Sequence, residues 1–373
     1  MKTIEIDSSN SKAVRQFVEL PFRLYRQTPQ WTPPLRMEAR QVFDRRKNPI
    51  FRYGEAAFFL QVDENGLARG RIAVLNNHRF NEYNRTKSAF FYLFECDNDI
   101  HIAEALFDSA FDWARRQGLE DMLGPKGFSP FDGMGLLVQG FEHRPAFGIP
   151  YNPPYYASLI EAVGFAGQNE IVSGYLSGET RAPEKLHRLA ERVCERRGLE
   201  FARFRRRKDL ELIVPQLADL YNATIEGTVD NYPVTDEEAQ AIARQMLAFA
   251  DPRLIKVVLK EERIVGFLFA YPDVSSAIQR SGGRLFPFGW ARILLEMRRR
   301  DWLNVNGMGI LPEYRGLGGT AILFSELQKS VLELGYKHAD LVQIGADNER
   351  MLRELQSFGV DFYKKHRMYH RAL

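Results

Sequence analysis

Cysteine is nearly absent: Cys96 and Cys194 are the two in 373 residues. Two cysteines cannot build a disulfide framework or a cysteine zinc site, so the expected compartment is the cytoplasm. Long apolar runs are missing as well. No stretch approaches about eighteen uninterrupted apolar residues, which argues against a membrane span. The start, Met1-Lys2-Thr3-Ile4-Glu5-Ile6-Asp7, alternates like a first strand and lacks the basic and apolar blocks of a signal peptide. Nor is there a charge excess: 51 Lys and Arg face 48 Asp and Glu, a net +3, far from a dedicated nucleic-acid binder. The basic residues do gather, at Arg205-Arg206-Arg207-Lys208 and Arg298-Arg299-Arg300, runs that fit a solvated face or a small anion better than a duplex. The 7 histidines show no metal spacing such as H-E-x-x-H, and no serine sits in G-x-S-x-G. Membrane, nucleic acid and metal are therefore not expected as partners.

What is present is length and a repeated rhythm. With 45% apolar residues, 373 positions suffice for two ordinary domains. In the first half, strand-like runs at 56–62 and 70–75 flank Asp63-Glu64-Asn65-Gly66, a hairpin turn. A third run, 89–94, is aromatic and apolar throughout, as in a strand buried on both faces. Ile102, Leu106, Ala110 and Ala114 then recur every four residues, predicting a helix that Gly118 stops. A helix over 155–163 and a strand over 171–176 follow. Residues 181–198 predict a connecting helix whose apolar stripe is Leu186, Leu189, Ala190 and Val193.

The rhythm then restarts. A strand at 199–204 leads to a helix carrying Leu217, Leu220 and Tyr221, and Thr235 opens a second helix with Glu238 completing a capping box. Next come a hairpin (254–260 and 264–271), a looser stretch at 272–300 with a short apolar helix near 290–297, and a strand at 303–310. A helix with Leu323, Leu327, Val331 and Leu334 on one face ends at Gly335. Strand 339–344, helix 348–358 and a last strand close the chain. Both halves share one order: hairpin, buried strand, helix, strand, helix, strand, which reads as a duplication. The expected class is α/β (α+β), with domains over 1–178 and 199–373 joined by a helix over 179–198.

The chemistry concentrates at Arg315-Gly316-Leu317-Gly318-Gly319-Thr320, between a buried strand and a helix. Such a turn presents unpaired N–H groups and the positive end of a helix dipole, a place for phosphate. The glycines allow close backbone approach, Arg315 adds a fixed cation, and no carboxylate lies between Arg315 and Ser325. A plain tight turn with an exposed arginine is the alternative. A nucleoside-triphosphatase loop needs a Gly-Lys-Ser/Thr ending, which is absent. The dinucleotide pattern is formally met by Gly316, Gly318 and Ala321, but Asp340 and Asp347 fall before and beyond the end of the following strand, and too little chain remains for such a domain.

A third pattern, R/Q-x-x-G-x-G/A, fits Arg315, Gly318 and Thr320, with Thr in place of Gly or Ala. Here the chain resembles the GCN5-related N-acetyltransferases, which hold the pyrophosphate of acyl-coenzyme A at this loop. The resemblance extends through Asp347-Asn348, Gly359 and the Tyr- and Lys-rich last strand, covering 199–373. Gly70-Arg71-Ile72, Phe94-Glu95, Tyr155-Tyr156, Glu161-Ala162-Val163-Gly164-Phe165 and the stretch from Pro233 to Glu238 extend it to a bacterial tandem group of undefined substrate. It implies two tandem acyl-coenzyme A N-acyltransferase-like domains, each a mixed, mostly antiparallel sheet flanked by helices. The matching turn of the first half, Glu95-Cys96-Asp97-Asn98-Asp99, has no glycine, and its aspartates stand where a phosphate would go. The first domain is thus expected not to bind coenzyme A.

By the same resemblance, backbone N–H groups near Met308, Gly309 and Ile310 hold the thioester carbonyl, and such donors are worth about 3 kcal/mol each. Asn348 reaches the pantetheine arm or only caps its helix. Glu226 and Asp230 border the acceptor site as candidate proton acceptors, and Glu313 lies at the end of the strand. The tyrosine that usually protonates the thiolate is replaced by Leu355, leaving Tyr363, Tyr369 or a water. Tyr151, Tyr155, Tyr156 and the 128–131 region suit either a pocket between the domains or the core. The expected function is direct transfer of acetyl, from acetyl-coenzyme A or another acyl-coenzyme A, to a small-molecule or peptide amine. A silent coenzyme A-binding protein and a long-chain N-acyltransferase are the alternatives, and a homodimer is possible.

Overall fold

The computed structural model of the chain describes residues 1–204, 206–225, 231–247, 250–315 and 319–373. It divides into two compact units, each discontinuous in sequence. Unit 1 comprises Met1–Ile171, Ser275–Ile293 and Lys364–Leu373; unit 2 comprises Val172–Val274 and Leu294–Tyr363.

Unit 1 opens with β1 (Lys2–Glu5), α1 (Ser11–Leu24), α2 (Arg36–Gln41), α3 (Ile50–Tyr53), β2 (Gly54–Val62), β3 (Ala68–Asn77), α4 (His78–Asn84) and β4 (Ser88–Cys96). It continues with α5 (Ile100–Arg116), β5 (Asp121–Gly124), β6 (Leu136–Gln139), α6 (Tyr155–Ala162) and β7 (Ala166–Ser177), whose last residues belong to unit 2. Strands β1 to β4 are antiparallel, and β4 and β5 are parallel. At the expected turn, Asp63 Oδ1 accepts from the N–H groups of Asn65 and Leu67. The expected stripe of α5, Ile102, Leu106, Ala110 and Ala114, is fully buried.

Unit 2 follows with α7 (Glu184–Arg197), β8 (Glu200–Phe201), α8 (Arg207–Glu211), α9 (Val214–Ile225), α10 (Asp236–Leu247), β9 (Lys256–Lys260) and β10 (Arg263–Pro272). Helix α11 (Ser275–Ser281) belongs to unit 1, and α12 (Gly289–Arg299) comes next. Then come β11 (Trp302–Ile310), α13 (Gly319–Leu334), β12 (His338–Gly345), α14 (Glu349–Ser357) and β13 (Asp361–Ala372). Strands β8 to β11 are antiparallel and β11 pairs parallel with β12. The capping box forms: Thr235 Oγ1 accepts from Glu238 N–H at 3.2 Å, and Glu238 Oε2 from Thr235 N–H at 2.8 Å. Two expectations need correction. The strand at 199–204 shrinks to two residues, and Leu189 of α7 is exposed, because α7 buries Leu186, Ala190 and Val193 against the core of unit 2 and turns Leu189 aside.

The last strand completes unit 1, where Tyr369–Ala372 pairs with β5. His366, fully buried there, makes an Nε2 contact with the Pro150 carbonyl at 3.0 Å. Burial pushes its pKa down to about 4, with Lys364 adding to the shift and the Pro150 carbonyl opposing it. Below pH ~6.5 the unfolded chain protonates this histidine and the folded chain does not, so stability is lost as pH falls toward 4, by about 3 kcal/mol. Denaturant unfolding of wild type and His366→Gln at pH 7 and pH 4 checks this: the variant should lose about 3 kcal/mol less across the interval.

Candidate active site

In unit 2 the parallel ladder of β11 and β12 is short. It runs from Trp302 opposite His338 to Val305 opposite Leu341, after which the strands share no further described pairs. Just there β11 carries a bulge: two steps on β10, Leu268 to Ala270, face three on β11, Met308 to Val305. Gly307 occupies the bulge at φ +106°, a conformation few other residues take. Beyond it, Gly309 lets α9 and β10 close in, since a Cβ would stand 2.5 Å from the Phe267 ring and 3.1 Å from the Thr224 methyl.

The hydrogen-bond alternation of the antiparallel pair fixes where the amides of β11 point. Leu311 N–H donates to Val265 O at 3.0 Å, so Leu311 and, two residues earlier, Gly309 address β10. Met308 and Ile310 therefore turn their N–H groups toward the gap between β11 and β12. The gap has two unlike faces. On the α13 side, beneath the still-paired part of the ladder, Val305, Ala339, Leu341 and Phe358 line an apolar cavity of about 20 Å³ together with Leu176 and Thr180 near the end of β7, room for about one water. On the α9 face, shared with Phe267 by the alternation along β10, a polar cluster is buried. Tyr271 OH accepts from Asn304 Nδ2 at 2.9 Å and from Asn306 Nδ2 at 3.4 Å. Asp340, also buried, is the ladder partner of Asn304. Burial, with the charges of Asp273 and Asp340, pushes the Tyr271 hydroxyl up to about 12, against the Asn306 hydrogen bond. The sequence reading missed this cluster; its signal was Asn304 and Asn306 in an otherwise apolar strand.

At the head of the gap, α13 begins at Gly319, with Thr320 beside it and no acidic residue in the first turn. Arg315 donates from Nη2 to Thr224 O at 2.6 Å and from Nε to Ile310 O at 3.2 Å, tying the end of α9 to the end of β11. Gly316, Leu317, Gly318, Glu226 and Asp230 lie outside the described residues. Asn348 caps α14, its Oδ1 accepting from Met351 N–H at 3.2 Å. Glu313 is exposed, 3.8 Å from Arg263. Leu355 is fully buried in the core of unit 2. Tyr363 joins an aromatic row with Tyr175, Trp302 and His338 at the opposite end of β11, about 20 Å along the strand from Met308. Tyr369 is buried in unit 1, donating to Glu161 at 3.1 Å.

Unit 1 repeats this geometry and then closes it. Its β4 is bulged at Leu93, φ +52°, and its parallel ladder with β5 ends at Phe90 opposite Leu123. But Lys126 N–H takes the carbonyl of Phe91, and Phe128 packs on Tyr92. At the turn into α5, Asp99 Oδ1 caps the helix by accepting from His101 N–H at 2.9 Å, while Asp97 pairs with Arg69 and lies 3.8 Å from Arg23. Tyr156 belongs to the core of this unit, and Tyr155 OH donates to Cys96 O at 2.8 Å.

A solved tandem GNAT protein from the clavulanic acid biosynthesis pathway superposes with a TM-score of 0.57, over 100% of this chain and 98% of its own, at 10% identity. The fold is that of a tandem GCN5-related N-acetyltransferase. No protein-family model matches the chain. Over 371 residues the chain is 26% identical to the Bacterial ceramide synthase of Caulobacter vibrioides, spanning 96% of this chain and 95% of that protein. It is 24% identical over 376 residues to Protein YghO of Escherichia coli K12, spanning 98% and 94%. Among the described residues of this GNAT-like chain, no helix is long and apolar enough to cross a membrane.

Proposed function

We propose that the chain is an N-acyltransferase that moves a long acyl group from acyl-coenzyme A to the amine of a long-chain amino alcohol. The observation that carries this reading is the near end-to-end match to a protein called a ceramide synthase, since a ceramide is the N-acyl derivative of such an amine. The gap between β11 and β12 supports it. The diphosphate sits at the start of α13 with Arg315, and the pantetheine arm descends between the strands. The thioester oxygen meets the N–H groups of Met308 and Ile310, which strengthen their bonds as charge develops. The amine enters from the α9 face, its nitrogen attacks the carbonyl, a C–N bond forms and the C–S bond breaks. The amine proton passes to solvent water, and the coenzyme A thiolate takes a proton from solvent.

Leu355 favours a second reading, a chain that binds acyl-coenzyme A without turning it over, because leucine cannot donate the proton a tyrosine would. Thiol release and mass spectrometry of the product separate the two. A sixteen-carbon acyl-coenzyme A with a sphingoid base should react with a kcat/KM at least about tenfold above that of acetyl-coenzyme A. Binding without turnover of either thioester sinks the enzyme reading, and an acetyl preference sinks the long-chain one.

A further inference from the structure

Among the described residues, the large apolar side chains open to water are not spread evenly. Phe286, Phe288, Trp290, Leu294 and Leu295 fall within ten residues, on the turn before α12 and on α12 itself, and are each 50% to 78% exposed. Single exposed apolar residues need no explanation, but a contiguous group marks a surface that meets something apolar. The helix is anchored by its other side, where Gly289 and Ile293 are buried. The same stretch exposes Arg284, Arg292, Arg298 and Arg299, against one carboxylate, Glu296, which is largely covered and 3.6 Å from Arg299. Four arginines against one glutamate leave +3 on residues 284–299.

We propose that this turn and helix dock the protein on an anionic lipid bilayer. The five apolar side chains enter the headgroup boundary, and the arginines, whose stems snorkel, pair with lipid phosphates. The charge selects this partner. A second copy meeting the patch across a two-fold axis would set +3 against +3, whereas an anionic leaflet satisfies both the apolar and the basic side chains. The lack of an eighteen-residue apolar run bears on crossing a bilayer, not on lying upon one. The inference rests on the patch alone and stands apart from the acyl-transfer reading.

Co-sedimentation of the full chain with vesicles tests it without any thioester. Vesicles of phosphatidylcholine and phosphatidylglycerol should bind the protein about 100-fold more tightly than phosphatidylcholine alone, the expected gain for three net charges, and added salt should reverse the difference. The triple variant Phe288→Ser, Trp290→Ser, Leu294→Ser should stay in the supernatant while its circular dichroism and thermal unfolding match wild type. Tryptophan emission should shift to the blue on binding, and Trp290→Phe should remove the shift. Wild type that ignores the anionic vesicles overturns the proposal, as does a triple variant that binds like wild type. Dimerisation in solution that the triple variant abolishes, with no vesicle binding, overturns it in favour of self-association.

Discussion

Replacing Arg315 with alanine and Gly318 with aspartate together should weaken acyl-coenzyme A binding by about three orders of magnitude in titration calorimetry. Helix α13 begins at Gly319 with no acidic side chain in its first turn, so its first N–H groups, which no preceding turn of the helix can take, and its dipole suit an anion. Aspartate at 318 stands immediately before that helix and belongs to the residue types that cap one. Its carboxylate would take the N–H groups and put a negative charge where the diphosphate must sit. Loss of the guanidinium removes a charge-assisted donor worth about 2 kcal/mol. With a similar cost for the carboxylate, the sum is about 4 kcal/mol, or roughly 1000-fold. Unit 1 carries an arrangement of that kind, since Asp99 caps α5 there and Asp97 is held by Arg69. Arg315 also ties Thr224 and Ile310 together, so thermal unfolding of each single variant must accompany the titration. Arg315→Lys should keep part of the affinity. Wild-type affinity in the double variant would mean that the ligand does not lie at the start of α13, and the acyl-coenzyme A reading of this loop would fall.

That loop was legible because its residues are neighbours in sequence, as are the stripe of α5 and the capping box at Thr235. The gap it serves was not. Whether β12 stays with β11 past Leu341 depends on which strands fail to pair, and Gly307, which marks the bulge, looks in sequence like any other glycine. The polar cluster was hidden for the same reason: Tyr271, Asn304 and Asp340 come from three strands, and only pairing brings them together. Helix α1 escaped because Pro21 lies inside it and reads as a breaker. Nor could local pattern show that residues 275–293 and 364–373 pack with unit 1, since that follows from contacts made far along the chain. The repeat of bulge and short parallel ladder in both units gives the shared element order a physical content. One backbone device serves twice: left open in unit 2, in unit 1 it is closed at Phe91 by Lys126.

Unit 1 holds a buried carboxylate, and removing it should be costly. Glu95 follows the bulge of β4, and its side chain is 12% exposed. Its Oε2 accepts from Tyr25 OH at 2.6 Å and Tyr156 OH at 2.8 Å, and its Oε1 lies 3.7 Å from Arg71. Arg71 is itself buried against the Phe17 ring and donates to the Phe17 carbonyl at 2.7 Å. Burial raises the Glu95 pKa and the Arg71 charge opposes that rise, while the guanidinium keeps its own charge in a buried place where Glu95 is its counter-charge. Glu95→Ala leaves a buried guanidinium without its counter-charge and two buried hydroxyls without their acceptor, a loss of about 3–5 kcal/mol from unit 1. Glu95→Gln keeps an acceptor for the tyrosines and should cost about half as much. Hydrogen exchange of the β3 and β4 amides reads unit 1 directly, which matters because two units need not unfold together. Protection should fall across both strands in Glu95→Ala and less in Glu95→Gln. Undiminished protection together with lost turnover would instead place Glu95 in the chemistry, and the purely structural account of unit 1 would have to be abandoned.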